Sequence, residues 1–195
     1  RFDRLRPLVN LRSHRKILVC DGRVGFTGGI NVTEDENEEV REDAYRDTHV
    51  RLEGPVVRWL QLVFLEDWVY ARGRRDFPNF DEELHADLVP GAIAVQVIAS
   101  GPDTDGEAIH RAMNDAFYKA QQRVWLATPY FVPTEASLYA LTDAALRGVD
   151  VRVLVPRNSD SRIVTAAARS YFDELMRVGI RIYEYQPRML HAKTL

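Results

Sequence analysis

From about residue 92 onward the chain alternates short apolar runs with segments of helical period, and this alternation restricts the fold more than any other feature. Ile93, Val95 and Val97 alternate as a strand does, and a helix follows with Ile109, Met113, Ala116, Phe117 and Ala120 on its buried face. Val124 to Ala127 reads as a strand, about Glu135 to Arg147 as a helix stopped by Gly148, and Val151 to Val155 as the next strand. A helix from about Ser161 to Val178 stops at Gly179, and Ile180 to Tyr185 completes the series. Strand-length runs separated by helices long enough to cross back over a sheet predict an α/β fold, with helices covering a largely parallel or mixed sheet.

The first third reads differently. Lys16 to Cys20 and Val24 to Thr27 flank Asp21-Gly22, a turn dipeptide, and predict a hairpin. Gly28-Gly29 and an acidic run from Glu34 to Glu39 follow, the latter expected to be a solvated loop. Thr48 to Leu52 alternates as a strand, and Gly54-Pro55 opens a helix that Gly73 ends. Its expected buried face carries Val56, Val57, Leu60, Phe64, Trp68 and Ala71. The stretch from Gly73 to Gly91 has no sustained period and carries Pro, Gly and charge. The expected organisation is therefore one part over 1–75, a connection over 76–91 and a second part over 92–195.

A content of 46% hydrophobic and 28% charged residues excludes a disordered chain. The net charge of -3 supplies no general basic field, so nucleic acid is not an expected partner. A single cysteine, Cys20, excludes an intrachain disulfide, fits a reducing compartment and sits in an apolar run where core burial is expected. No run approaches a membrane span. The first residue is Arg1 and the last are Thr194 and Leu195, which reads as a chain truncated at both ends.

The chemistry concentrates in SHRKILVCDGRVGFTGGIN, residues 13–31. On a strand, His14 and Lys16 would project to the same side. An ammonium group beside an imidazole suits a phosphate: the lysine offsets oxygen charge, while a neutral ring nitrogen attacks phosphorus or moves a proton. Gly28 and Gly29 would let backbone donors approach the same anion. Asp21 stands seven residues from His14, on the opposite face of a regular strand, and begins the Asp-Gly turn, so it reads as a structural carboxylate. His191 and Lys193 repeat the spacing of His14 and Lys16 near the other end of the chain.

The HxKxxxxD pattern of His14, Lys16 and Asp21, with GGxN after it and a second HxK at His191 and Lys193 that lacks its Asp because the sequence stops at Leu195, resembles the phospholipase D superfamily. YRDTHVRLEGP (45–55), TPYFVP (128–133), RGVDVRVLVP (147–156) and IRIYEY (180–185) before LHAK (190–193) are similar to bacterial cardiolipin synthases. The resemblance implies two related α/β/α sandwich halves with a mixed sheet, and a two-step phosphatidyl transfer with neither metal nor organic cofactor. His14 would be the nucleophile that becomes a phosphohistidine, and His191 the general acid and base. Lys16, Lys193 and Asn31 would hold the phosphoryl oxygens. Asp47, in Arg46-Asp47-Thr48, would orient the imidazole of the nucleophile, a task for which Asp21 is poorly placed. The implied substrate is phosphatidylglycerol as donor and acceptor, with glycerol leaving, at the cytoplasmic membrane surface.

Other residues have plainer readings. His49, His85 and His110 lack partner spacing and are expected to be ordinary histidines. Tyr130 and Phe131 follow a strand, where α/β sites form, although aromatic side chains are more often core. The helix with Trp59 and Trp68 has a mixed polar face, which favours core packing over membrane contact. Two rivals remain open at this level: a phosphodiesterase of the same fold acting on lipid or nucleic acid, and a truncated piece without activity.

Overall fold

The computed structural model describes residues 14–72, 88–101 and 106–195. Gly73, His85 and most of the expected connection, up to residue 87, lie outside the described residues. The chain forms two compact units, Arg1–Thr27 with Arg51–Ala94, and Gly28–Val50 with Val95–Leu195.

In the first, β1 (Ile17–Cys20) pairs antiparallel with β2 (Val24–Gly28). Asp21 and Gly22 link them with φ of 52° and 64°, and the Arg23 N–H donates to the Cys20 carbonyl at 2.9 Å. Two successive left-handed residues match the twist of a tight hairpin. A third strand, β3 (His49–Glu53), lies beside β2. On β1 Leu18 and Cys20 are exposed while Ile17 and Val19 are half-buried, so Cys20 is not the core residue expected. The period of two places it with Leu18 on the outward face.

Helix α1 (Val56–Arg72) begins where expected, but its buried residues are Val57, Leu60, Gln61 and Leu65. The stripe is turned one position from the expected one, and Trp59 and Trp68 stand 62% and 44% exposed, which overturns their reading as core. Apolar residues surround most of this helix, so its sequence defines no unique face. A notch on β2 selects one: a Cβ built at Gly25 would lie 2.8 Å from Leu60 Cδ1 and 3.7 Å from Val57. Glycine there lets this side of the helix approach the sheet.

In the second unit β4 (Arg123–Ala127), β5 (Asp150–Pro156) and β6 (Arg181–Tyr185) form a parallel sheet in that order, with Val124 opposite Val151 and Val153 opposite Ile182. Alternate residues, Val124, Leu126, Val151, Val153 and Val155, are buried on one face. Against them pack α2 (Ala108–Lys119), α3 (Glu135–Leu146), α4 (Arg162–Ser170) and α5 (Phe172–Arg177). Ala140 and Ala144 of α3 are fully buried, and small side chains there allow close contact with the sheet. On α2, Phe117 is buried with Met113 and Ala120 beside it, whereas Ile109 and Ala116 are exposed, contrary to expectation. His110 ties α2 to α3, with Nε2 at 2.7 Å from Ser137 Oγ and 2.9 Å from Thr134 Oγ1. An antiparallel bridge between Ala127 and Thr194 makes the pairing mixed.

Two sequence expectations differ from this unit. The helix predicted from 161 to 178 is two helices meeting at Tyr171. At the break the Ser170 hydroxyl donates to the Ala167 carbonyl at 2.7 Å, in competition with the helical ladder. Residues 92–101, predicted to contain a strand, join no ladder among the described residues, and Ile93 and Val95 are exposed. Alternation specifies two faces; a strand also needs a neighbour's backbone groups. The α/β class itself is as expected.

Candidate active site

The strongest constellation is built around His191. It lies between buried Leu190 and Ala192, so its backbone is anchored on both sides. The Arg46 N–H donates to the Met189 carbonyl and the His191 N–H to the Arg46 carbonyl, each at 2.8 Å. This short parallel bridge, Arg46 to Leu190, brings Asp47 to His191 across 144 positions of sequence.

Asp47 Oδ2 lies 2.6 Å from His191 Nδ1, and Asp47 Oδ1 accepts from the Thr48 N–H at 2.6 Å. The Asp47 side chain is 1% exposed and that of His191 14%. Lys193 Nζ is 3.1 Å from His191 Nε2 and donates to the His191 carbonyl at 2.5 Å. A carboxylate at Nδ1 and an ammonium group at Nε2 select the tautomer with its proton on Nδ1 and a lone pair on Nε2. That nitrogen can take up and return a proton. Asp47 thus orients an imidazole, but that of His191, where the sequence reading paired it with the nucleophile assigned to His14.

Glu36 is the residue that sequence reasoning missed. Its side chain is 3% exposed, and Oε1 stands 3.6 Å from His191 Nδ1. Its two oxygens accept from the Asn31 N–H at 2.5 Å and from Asn31 Nδ2 at 2.6 Å. The Glu34 to Glu39 run is therefore not uniformly solvated. Charge density hid the one position, in a 3-10 turn over Glu34–Glu36, that turns inward. The only local signal was Asn31, five residues before it, able to donate twice. Asn31, assigned to phosphate, has its amide nitrogen on Glu36. Glu36, Asp47 and His191 bring ligand atoms within 4.8 Å of one another, yet each of the three is already engaged by a protein partner.

The glycine pair also differs from its expected role. The Gly29 N–H donates to the Thr48 carbonyl at 3.0 Å and so does not face an anion. A Cβ at Gly29 would fall 2.0 Å from Asp47 Oδ1, and one at Gly28 2.4 Å from the Thr48 carbonyl oxygen. These glycines make room for Asp47 and for the strand beside them.

His14 and Lys16 lie in the other unit, just before β1 and not within a strand as expected. His14 is exposed, and Lys16 Nζ donates to the His14 carbonyl at 2.8 Å. Lys193 makes the same bond to His191. The repeated spacing therefore produces a repeated local geometry, with the lysine folded back over the histidine two positions before it. Asp21 occupies the turn described above.

Two aromatic rings border His191: Tyr45, with centroids 6.0 Å apart, and Tyr130, edge-on at 6.5 Å. Tyr130 OH donates to Asp160 at 2.9 Å. Burial first, then this bond, pushes the phenol up to about 12, so it keeps its proton and remains a donor. Phe131 is buried in the core instead. The adjacent aromatic residues thus divide between site and core.

A family model for the cardiolipin synthase, phospholipase D-like domain matches residues 113–195. A cardiolipin synthase of Alkalihalophilus pseudofirmus is 44% identical over 191 residues, which cover 96% of this chain and 37% of that protein. One from Geobacillus thermodenitrificans is 45% identical over 193 residues, covering 96% and 38%. The chain thus spans under two fifths of these relatives. In three dimensions it is similar to a phosphatidylserine synthase of Haemophilus influenzae, with a TM-score of 0.59 and 15% identity over 92% of this chain and 50% of that one, a likeness of fold. The alternation of strands and helices, the repeated His-x-Lys geometry and these similarities lead to one assignment: the chain belongs to the phospholipase D-like family that includes these cardiolipin synthases.

Proposed function

We propose that the protein acts as a phosphatidyltransferase of the cardiolipin synthase type, moving a phosphatidyl group from one phosphatidylglycerol to the headgroup hydroxyl of another. The carrying observation is the arrangement of His191 between Asp47 at Nδ1 and Lys193 at Nε2, which equips a ring nitrogen for proton transfer beside a cation. The names of the relatives supply the lipid class.

In the first step His14 attacks phosphorus, a P–N bond forms, and the P–O bond to glycerol breaks as the leaving oxygen takes a proton from His191. In the second, His191 removes the proton of the acceptor hydroxyl, the new P–O bond forms and the P–N bond breaks. Asp47 and Glu36 supply the counter-charge for an imidazolium at position 191, while Lys16 and Lys193 stabilise charge on the phosphoryl oxygens. Asn31 stands behind Glu36 in this scheme. No metal or organic cofactor takes part.

The substrate places the reaction at a membrane surface, which we assign to the cytoplasmic membrane. Among the described residues no helix is long and apolar enough to cross a membrane. Nucleic acid is not a partner in this reading, given the net charge of -3.

The test is product analysis with the full-length protein carrying this sequence. Phosphatidylglycerol should yield cardiolipin and glycerol, and His14→Ala and His191→Ala should each abolish the product. Phosphatidic acid in place of cardiolipin would convert the reading to a hydrolase, and normal synthesis by either variant would refute the mechanism.

A further inference from the structure

The loops after three parallel strands meet at the carboxyl edge of the sheet in the second unit. Tyr130 follows β4, Asp160 lies in the loop after β5, and His191 comes after β6. That edge is where open α/β sheets take their ligands.

Both Tyr130 and Asp160 are held by their neighbours. Pro129 and Phe131 are buried on either side of Tyr130, and Phe131 packs edge-on against Tyr171. Beside Asp160, the Ser161 N–H donates to Ser159 Oγ at 3.0 Å, and Thr165 Oγ1 donates to the Ser161 carbonyl at 3.1 Å, stapling the loop to α4. The Asp160 side chain, by contrast, is exposed, and among the described residues its hydrogen bond is the one from Tyr130, with no ion pair.

An anionic carboxylate one phenol ring away from the proton-transfer histidine would repel a phosphate. It attracts a neutral group rich in donors, and in the proposed reaction such groups are polyol hydroxyls. Glycerol leaves and a glycerol headgroup accepts, and each carries a hydroxyl on the carbon next to the one that bears the reacting oxygen. We infer that Asp160, positioned by Tyr130, binds this neighbouring hydroxyl and so selects a vicinal diol as the partner in phosphatidyl transfer. The inference rests on the phosphatidyltransferase reading. It adds a residue whose task is choice of alcohol, distinct from bond making at His14 and proton transfer at His191.

Competition between two small alcohols isolates this step, because both draw on one phosphoenzyme. The full-length protein is given phosphatidylglycerol with equal concentrations of 1,2-propanediol and 1-propanol, and the ratio of the two phosphatidyl alcohols is measured. Wild type should favour the diol by about tenfold, the contribution of one hydrogen bond to a charged group. Asp160→Asn and Tyr130→Phe should bring the ratio close to one while transfer to 1-propanol persists, and Asp160→Glu should restore part of the preference. An unchanged ratio in Asp160→Asn, or loss of both products in equal proportion by a variant that melts like wild type, overturns the inference alone. Cardiolipin formed by wild type without either phosphatidyl alcohol also overturns the inference alone, whereas absence of cardiolipin and of both phosphatidyl alcohols removes the transferase reading, and this inference with it.

Discussion

The separation between His191 and Asp47 is only 2.6 Å, and Asp47 is almost wholly buried, so this contact governs what the histidine can do. Asp47→Asn preserves shape but removes a charge, and its amide can present nitrogen to Nδ1 and reverse the tautomer. The expected result is a fall in kcat for cardiolipin formation of roughly 10²- to 10⁴-fold with KM little changed, the range typical of a lost acid-base function. A wild-type kcat in that variant would take Asp47 out of the mechanism. Sequence alone proposed His14, Lys16, Asp47, His191 and Lys193, and the structure sets Asp47 and Lys193 on the two ring nitrogens of His191. It paired Asp47 with the imidazole of His14, whereas the structure sets it on His191, and it passed over Glu36, because a carboxylate's partner is set by which backbone lies beside it.

At the scale of the element, Gly29 couples a turn to the site. The Cβ of an alanine there would overlap the Asp47 carboxylate, with all three nearest contacts between 2.0 and 2.4 Å. Asp47 is held by the Thr48 N–H and by His191, so it cannot simply swing aside. Gly29→Ala should therefore lower stability by about 1–3 kcal/mol, the usual cost of overpacking, and reduce activity as well. Chemical denaturation measures the first; a variant with the wild-type midpoint would show that the region yields more easily than its burial indicates. The elements themselves were largely legible. The boundaries of α3 agree with the expected helix from about Glu135 to Arg147 stopped by Gly148; the structure adds the Thr134 hydroxyl, which accepts from the Ser137 N–H, and gives Gly148 a φ of 88°. The buried face of α1 was not legible, because Gly25, a residue of another element, decides it.

For the molecule as a whole, acid stability offers a test with a definite sign. Asp150 accepts from Arg152, Arg181 and Trp125 Nε1, linking β5 to both neighbouring strands. The Arg152 bond, opposed by desolvation and reinforced by Arg181 and Trp125, holds its carboxyl well below the usual carboxylate range. A depressed folded-state pKa contributes stability that is fully present above the unfolded value of about 3.9 and is lost as pH falls through the folded value. Asp150→Asn should thus lower the thermal midpoint at neutral pH and still do so near pH 4. The difference from wild type should close only in stronger acid. A difference already gone at about pH 5 would mean that this cluster does not govern the response.

The sequence by itself determined the α/β class, the hairpin at Asp21-Gly22, the ends of α3 and the two His-x-Lys pairs. Each depends on residues a few positions apart, where period, turn conformation and capping are decided locally. Tertiary structure decided which carboxylates meet His191, which side of α1 is buried, why Gly29 bears no side chain and that residues 92–101 join no ladder among the described residues. The physical reason is common to all four. Each outcome requires backbone segments distant in sequence to lie side by side, as the bridge from Arg46 to Leu190 makes them do, and no local pattern encodes that neighbour.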